Sequence, residues 1–372
     1  MNKQFFSTHK WRLMLLLIGS LAIAACSVLF FPRFSIDVGD SAKYHAIATS
    51  LVTEHAYPII EEELYAPGYP LFLSAIYSTL GTSQGSIIVL QGILLGGIAL
   101  AVFCFGIKFF LLKPKTALLA SGMVLFWPYF ILYANLVMSE ILFIFVLFIA
   151  LLTLWHSWNV NSIKHTITAG ILFAIATLIR PVALLLPVWL ILGSFIIARL
   201  TSLQAPSARR ILIFFAAVFL TLSPWIIYSS IRTESITPVA TNLADVITKF
   251  DEPEHTALDT LKQKSMNLAL FWNPGAGGYQ ADAVVEKFGA AKYFITLYKI
   301  VFFILLLFAG LAALRKTPIA LYSWLCIGYF WAVHTVLFPY PRYALPAIPF
   351  VILLSIYYLQ HMIGSKKVLN QK

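Results

Sequence analysis

Charge is what this chain has least of. Of its 372 residues only 11% are Asp, Glu, Lys or Arg, against roughly 25% in an ordinary soluble domain. Hydrophobic residues make up 60% and the mean hydropathy is +0.86. Water cannot solvate so much apolar surface, which excludes a soluble enzyme, a nucleic-acid-binding domain and a disordered chain. Cysteine is scarce as well: Cys26, Cys104 and Cys326 each lie inside an apolar run, so neither a disulfide framework nor zinc-ligand spacing follows from them. There is no internal repeat, low-complexity tract, P-loop or glycine-rich dinucleotide fingerprint, which argues against an ATP-driven machine. Acids are fewer than cations, 15 against 26, for a net charge of +11. In a soluble protein that excess suggests nucleic acid; in a chain this apolar it reports topology instead, and no nucleic-acid partner is expected.

What the sequence does have is long apolar runs, so its first partner is a lipid bilayer. A spanning helix needs about 20 predominantly apolar residues. Ten runs qualify or nearly so: 12–31, 86–112, 116–134, 138–156, 166–179, 181–198, 211–231, 293–314, 318–338 and 343–363. Only Arg180-Pro181 separates the fifth from the sixth, and Pro181 suits the first turn of a new helix. With the N-terminus in the cytoplasm and sides alternating, 15 of the 26 cations fall on the inner side, so both termini are expected to be cytoplasmic. All 15 acids, from Asp37 to Glu286, fall on the outer side. Acids contribute little to orientation, so their asymmetry calls for another cause, and an outward-facing working surface is one. Residues 1–26 also read as a basic region, an apolar region and Ile23-Ala24-Ala25-Cys26, which fits a bacterial lipoprotein cleavage box. The apolar run nevertheless continues through Phe31, as an uncleaved anchor's does.

Three regions follow: a transmembrane module over 1–231 that carries a first external loop at 32–85, an external loop over 232–292, and C-terminal transmembrane helices over 293–372. The first loop holds Asp37, Asp40 and Glu61-Glu62-Glu63, then an apolar stretch over 65–81 too short to span, which is expected to lie in the interface or dip back. The second loop has a turn-rich centre, Asn273-Pro274-Gly275-Ala276-Gly277-Gly278, and is expected to cap the outer face.

Ionisable groups stand where runs meet the outer interface: Asp40, Glu140, Arg180 and Arg342. A charge near lipid is costly, and four at one level suggest a shared polar cavity, although any one alone reads equally well as a span end reaching water. His45 and His334 could join Glu140 or the Glu61–Glu63 triplet around a metal; a lone histidine in a span is more commonly a packing residue, and the triplet reads more simply as a solvated face. Trp127, Tyr129 and Trp225 could stack on a sugar or line a prenyl groove, but bulk packing and interfacial belts account for most aromatic rings. Gly92, Gly96 and Gly97 suit close helix packing.

The segment Gly39-Asp40-Ser41-Ala42-Lys43-Tyr44-His45, followed by Tyr65-Ala66-Pro67-Gly68-Tyr69-Pro70, resembles the first external loop of GT-C glycosyltransferases. The nearest branch contains protein O-mannosyltransferases, lipid A aminoarabinose transferases and rhizobial-lipopolysaccharide-type glycosyltransferases. Met138-Ser139-Glu140, Leu178-Ile179-Arg180-Pro181, Ser223-Pro224-Trp225, Thr237-Pro238-Val239-Ala240-Thr241-Asn242 and Pro341-Arg342-Tyr343-Ala344-Leu345-Pro346 agree in order and spacing. The resemblance implies an all-α, polytopic transmembrane bundle of about ten spans with interfacial helices in the first external loop. It also implies transfer of a sugar from a polyprenyl-phosphate donor to a glycan, lipid or protein acceptor at the external face of an inner or plasma membrane. In that family the first-loop acid acts on the acceptor, and Asp40 is the matching residue. Many members carry Asp-Glu where this chain has Asp40-Ser41, which leaves open any role of the second acid, metal contact included.

The residue types fit that chemistry. Inverting transfer needs a base for the acceptor proton, and a carboxylate at a low-dielectric boundary can serve. Negative charge then develops on a lipid phosphate, which the planar fork of arginine meets in two places. Arg180 and Arg342 are the expected phosphate ligands, with Lys43, Tyr44 and Tyr343 beside them on the substrate. Glu140 is open among positioning Asp40, binding sugar hydroxyls and holding a divalent cation.

Overall fold

The computed structural model describes residues 3–30, 39–241, 257–272, 291–336 and 341–369. Asp37, Phe31, Asn242 and the Asn273–Gly278 turn therefore lie outside the described residues. Among those described there is no strand, only an isolated bridge between Ile60 and Glu63. Fourteen α-helices follow in order: α1 (Lys3–Phe30), α2 (Gly39–Thr53), α3 (Gly68–Leu80), α4 (Gln84–Lys108), α5 (Pro114–Leu125), α6 (Pro128–Ala134), α7 (Glu140–Val160), α8 (Ile163–Ile179), α9 (Leu186–Leu200), α10 (Ala208–Thr233), α11 (Ala257–Leu270), α12 (Ala291–Ala313), α13 (Pro318–Val336) and α14 (Ile348–Leu369). Short 3₁₀ turns over Pro181–Ala183 and Pro341–Ala347 precede α9 and α14.

Seven of these helical segments are long and apolar enough to cross a bilayer, and α5 with α6 makes an eighth if the bent pair is one span. Each of the ten apolar runs of the sequence falls on a helix, but α8 and the described apolar part of α12 are shorter than the others. One expectation needs correction. The run 116–134 is not a straight span; it breaks between α5 and α6 with a bend of 52°. Pro128 is the cause. Proline has no N–H to continue the ladder and forces the residue before it out of the helical region, and Trp127 is extended, with φ −68° and ψ 123°. Arg180 breaks the chain between α8 and the Pro181 turn for the same reason, at φ −143° and ψ 119°.

The outer helices identify the solvent. Leu212, Phe219, Leu220, Ile227 and Ile231 of α10, and Leu15, Leu17, Ile18 and Leu29 of α1, stand exposed. Such a surface is stable only against lipid. The centre is α14, whose Phe350–Leu354 stretch is fully buried, with Phe105 and Phe148 packed on Phe350. α1 lies directly on α4, because a methyl group added at Gly92 or Gly96 would run into Ala24 or Ser20. In lipid, where no hydrophobic drive joins helices, close backbone approach through small residues supplies the attraction.

The chain turns define two ends of the bundle. α7 runs 21 residues from Glu140, about 30 Å, and α8 returns after a left-handed turn at Asn161. Glu140 and Arg180 thus share one end while Trp158 and Lys164 share the other.

Candidate functional site

Asp40 enters the site because α2 starts beside it: Gly39, at φ +59°, takes a left-handed conformation that admits glycine without a Cβ clash. Glu140 opens α7 and is 2% exposed. Arg180 follows the last residue of α8, and Arg342 and Tyr343 ride the 3₁₀ turn before α14. Four separate segments meet here. Arg180 Nη1 is 2.8 Å from Glu140 Oε1 and donates to Ser139 Oγ at 3.3 Å. Arg342 Nη1 lies 3.6 Å from Asp40 Oδ2, and Nη2 donates to the Tyr343 hydroxyl at 3.2 Å. Both guanidiniums approach the Tyr343 ring, 5.4 Å from its centroid for Arg180 and 5.0 Å for Arg342.

The two ion pairs differ in kind. The Asp40 carboxylate is 43% exposed and its contact with Arg342 is long, so it is easily exchanged for another anion. The Glu140–Arg180 pair is sealed, and Glu140 Oε2 is buried without a hydrogen-bond partner. Breaking a buried pair by removing one partner strands the other charge, whereas an exposed pair contributes little.

Around the pairs stands a wall of rings. His334 stacks on Tyr343 with centroids 4.2 Å apart and planes at 9°, and Phe271, just beyond α11, stacks on His334 in turn. α11 is tied to α13 by Asn267 donating to the Thr335 carbonyl and Trp331 donating to the Leu268 carbonyl. The described part of the 232–292 loop therefore lies over this end. Tyr44 packs edge-on to Tyr69 at 5.0 Å. Its hydroxyl is pushed up to about 12 by burial first and by the Asp40 charge second. The gap among Glu140, Phe143, Arg180, His334, Arg342 and Tyr343 holds about 10 Å³, room for about one water. The site is therefore closed around Glu140 and open on its Asp40 side.

Of the residues expected at the site, Asp40, Tyr44, Glu140, Arg180, Arg342 and Tyr343 are brought together. Lys43 is turned to a neighbouring polar group: its Nζ lies 2.6 Å from Glu61 and 3.8 Å from Glu63, and these carboxylates raise its pKa above the ordinary lysine value, chiefly through the Glu61 hydrogen bond. The glutamate triplet divides accordingly, Glu61 and Glu62 exposed and Glu63 turned inward to accept from the Tyr65 hydroxyl at 2.6 Å. His45 hydrogen-bonds Tyr77 at 2.8 Å. Among the described residues no three His, Cys, Asp or Glu side chains gather at metal-binding distance. Glu140 faces Arg180 and lies within electrostatic reach of Arg342, so its charge is already met within the cluster. Trp127 packs on Tyr298 and Phe302, while Trp225 donates to the Val239 carbonyl at 2.7 Å and packs on Tyr57.

Sequence reasoning missed two supports. Gln91, fully buried in α4, accepts from Tyr69 and donates to the Ala134 and Leu136 carbonyls. It thereby holds the connector that leads into Glu140. It is the lone amide between Ile87 and Ile107, a signal that could have flagged it. Thr241 clamps the first loop, with its hydroxyl accepting from Leu64 N–H at 2.8 Å and its own N–H donating back to the Leu64 carbonyl at 3.1 Å. Tyr133 of α6, within electrostatic reach of Glu140, Arg180 and Arg342, was not anticipated either.

Fold and surface together define a helical, multi-pass membrane protein whose described residues carry an acid–arginine cluster at one end, buried at Glu140 and open at Asp40. Comparison with models of known protein families and with curated proteins returns no match to this chain.

Proposed function

We propose that the protein is an integral membrane glycosyltransferase of GT-C type, moving a sugar from a polyprenyl-phosphate donor to an acceptor on the external face of an inner or plasma membrane. In this reading ten segments cross and both termini are cytoplasmic. One observation carries it: two guanidiniums, Arg180 and Arg342, converge on the Tyr343 ring beside an exposed carboxylate, Asp40, at a single end of the bundle. That is the equipment for a phosphate leaving group and a proton acceptor side by side.

The chemistry is a single displacement. The acceptor hydroxyl gives its proton to the Asp40 carboxylate, its oxygen bonds to the anomeric carbon, and the bond from that carbon to phosphate oxygen breaks. The electron pair leaves on the phosphate, where Arg342, released from its long contact with Asp40, and Arg180 balance the charge. Glu140 orients Arg180 from beneath. The products are a glycosylated acceptor and the polyprenyl phosphate.

Two rivals stand against it. A lipid-sugar flippase places ionisable groups near the bilayer midplane, whereas here they stand at helix ends. A surface-polysaccharide polymerase or ligase releases a lipid diphosphate. Purified protein in liposomes with a polyprenyl-phosphate sugar and an envelope acceptor fraction separates the three. Glycosylated acceptor plus polyprenyl monophosphate supports the proposal; lipid translocation without transfer, or release of diphosphate, refutes it. Arg342→Ala is expected to weaken donor use, and unchanged donor affinity and turnover would remove Arg342 from the phosphate role.

A further inference from the structure

We infer that a second anion site lies at the opposite end of the bundle, between the α7–α8 turn and the start of α10, and takes a phosphate-bearing group. A cavity of about 400 Å³ opens there, lined by Trp158, Asn161, Gln204, Ser207, Arg209 and Arg210. That volume falls in the range of small-ligand sites. Its walls are set by local structure: Asn161 turns the chain with a left-handed φ of +54°, Trp158 is buried behind the turn, and Pro206 is buried in the connector. Arg210 is anchored by Nη1 donating to the Ser157 carbonyl at 3.2 Å, which uses one of the five N–H groups of its fork.

Charge decides the ligand class. From Ile141 to Thr233 the sequence contains no Asp or Glu, and neither Arg209 nor Arg210 forms an ion pair with a described acid. Two guanidiniums beside an amide-lined and hydroxyl-lined cavity, with no acid of their own, offer their forks to an anion from outside the chain. The planar fork selects phosphate oxygens, which it can contact in pairs, and Asn161, Gln204 and Ser207 add neutral donors. Basic pockets between transmembrane helices commonly hold lipid head groups. A dissolved phosphate offers the same chemistry, so the test separates the two sources. This inference does not rest on sugar transfer.

The test uses the full-length protein in nanodiscs of phosphatidylcholine doped with chain-labelled phosphatidic acid, reading the share of label immobilised on the protein. Wild type is expected to enrich the labelled phosphatidic acid over equally labelled phosphatidylcholine. The enrichment should fall roughly fivefold for each arginine removed in Arg209→Gln and Arg209→Gln/Arg210→Gln, while Arg315→Gln, at the same end but over Tyr358, keeps it. The single Arg209→Gln change alters an exposed side chain, so it reports even if the double variant fails to fold. In a second arm, inorganic phosphate is titrated onto detergent-purified protein and thermal unfolding is followed. Stabilisation lost in Arg209→Gln assigns the site to dissolved phosphate as well; enrichment of labelled lipid without it assigns the site to a head group. No enrichment and no stabilisation, or either one unchanged in the arginine variants, overturns the inference.

Discussion

At one end of the bundle Asp40, Glu140, Arg180 and Arg342 interlock within 4 Å contacts. At the other, Lys108 meets the His156 ring at 3.3 Å and lies over the Phe109 ring, Lys113 is held through its backbone N–H to Gln360, and Arg209 and Arg210 have no carboxylate in the whole surrounding sequence. The helices that link the two ends are the same, so fold alone does not explain the contrast. A bundle that needed charge only to fix its orientation would be served by the cation-rich end. Burying a carboxylate with a guanidinium at the far end costs desolvation that such a pair seldom recovers in stability. The difference therefore points to work done at the acid-bearing end.

The contrast can be broken or sharpened by substitution. The largest effect is expected at Asp40. Asp40→Asn should lower sugar transfer by about 10²–10⁴-fold with little change in expression or thermal stability, and transfer above about a tenth of wild type would remove Asp40 from the base role. Next comes Arg180→Ala, which strands a buried Glu140 and should cost about 3–5 kcal/mol. Adding Glu140→Gln should restore much of that loss. Thermal unfolding of the single and double variants in detergent measures the coupling, and additive losses would mean that the two residues do not act as a buried pair.

Smaller effects are expected where the site is merely supported. A Cβ at Gly68 would stand 2.7–2.9 Å from the side chain and backbone of Ile179, so Gly68→Ala should push α3 off the end of α8 that carries Arg180. A stability loss of about 1–3 kcal/mol is typical of such overpacking; an unchanged unfolding midpoint would show that α3 does not need that approach. The smallest effect is expected at Lys43→Gln, under about 1 kcal/mol, since the Lys43 pairs are partly exposed. The sign with pH is fixed. A lysine whose pKa is raised by folding stabilises fully below its ordinary value of 10.5 and loses that contribution only as pH climbs beyond it, so unfolding curves of wild type and Lys43→Gln should differ at neutral pH and converge in strong alkali.

Much of the fold was legible because apolar runs in lipid leave little choice but helix: every run falls on helix, one of them broken in two, and Pro181 parted α8 from the next helix as its chemistry requires. The bend at Trp127 was not anticipated, although Pro128 was in plain view, since hydropathy measures length and ignores the missing N–H. Asp40, Glu140, Arg180 and Arg342 stood out as charges at span ends. Their pairing did not, because sequence places residues at a level and leaves open which neighbours they face. Lys43 illustrates the gap: one turn of helix from Asp40, it serves Glu61 and Glu63. Gln91 escaped notice although a lone amide in an apolar run is a signal, and Thr241 reads as part of a motif and not as a clamp, because the backbone groups both of them hold leave no mark in the sequence.

In the proposed orientation the acid-bearing end faces out of the cell and the cation-rich end faces in. With Cys26, Cys104 and Cys326 replaced by alanine, a membrane-impermeant thiol reagent applied to intact cells expressing Glu62→Cys or Ser207→Cys tests it directly, both positions being exposed. The expected result is labelling of the Glu62→Cys protein in intact cells and of the Ser207→Cys protein only after permeabilisation. Labelling of both from one side, or of the Ser207→Cys protein alone from outside, would contradict it.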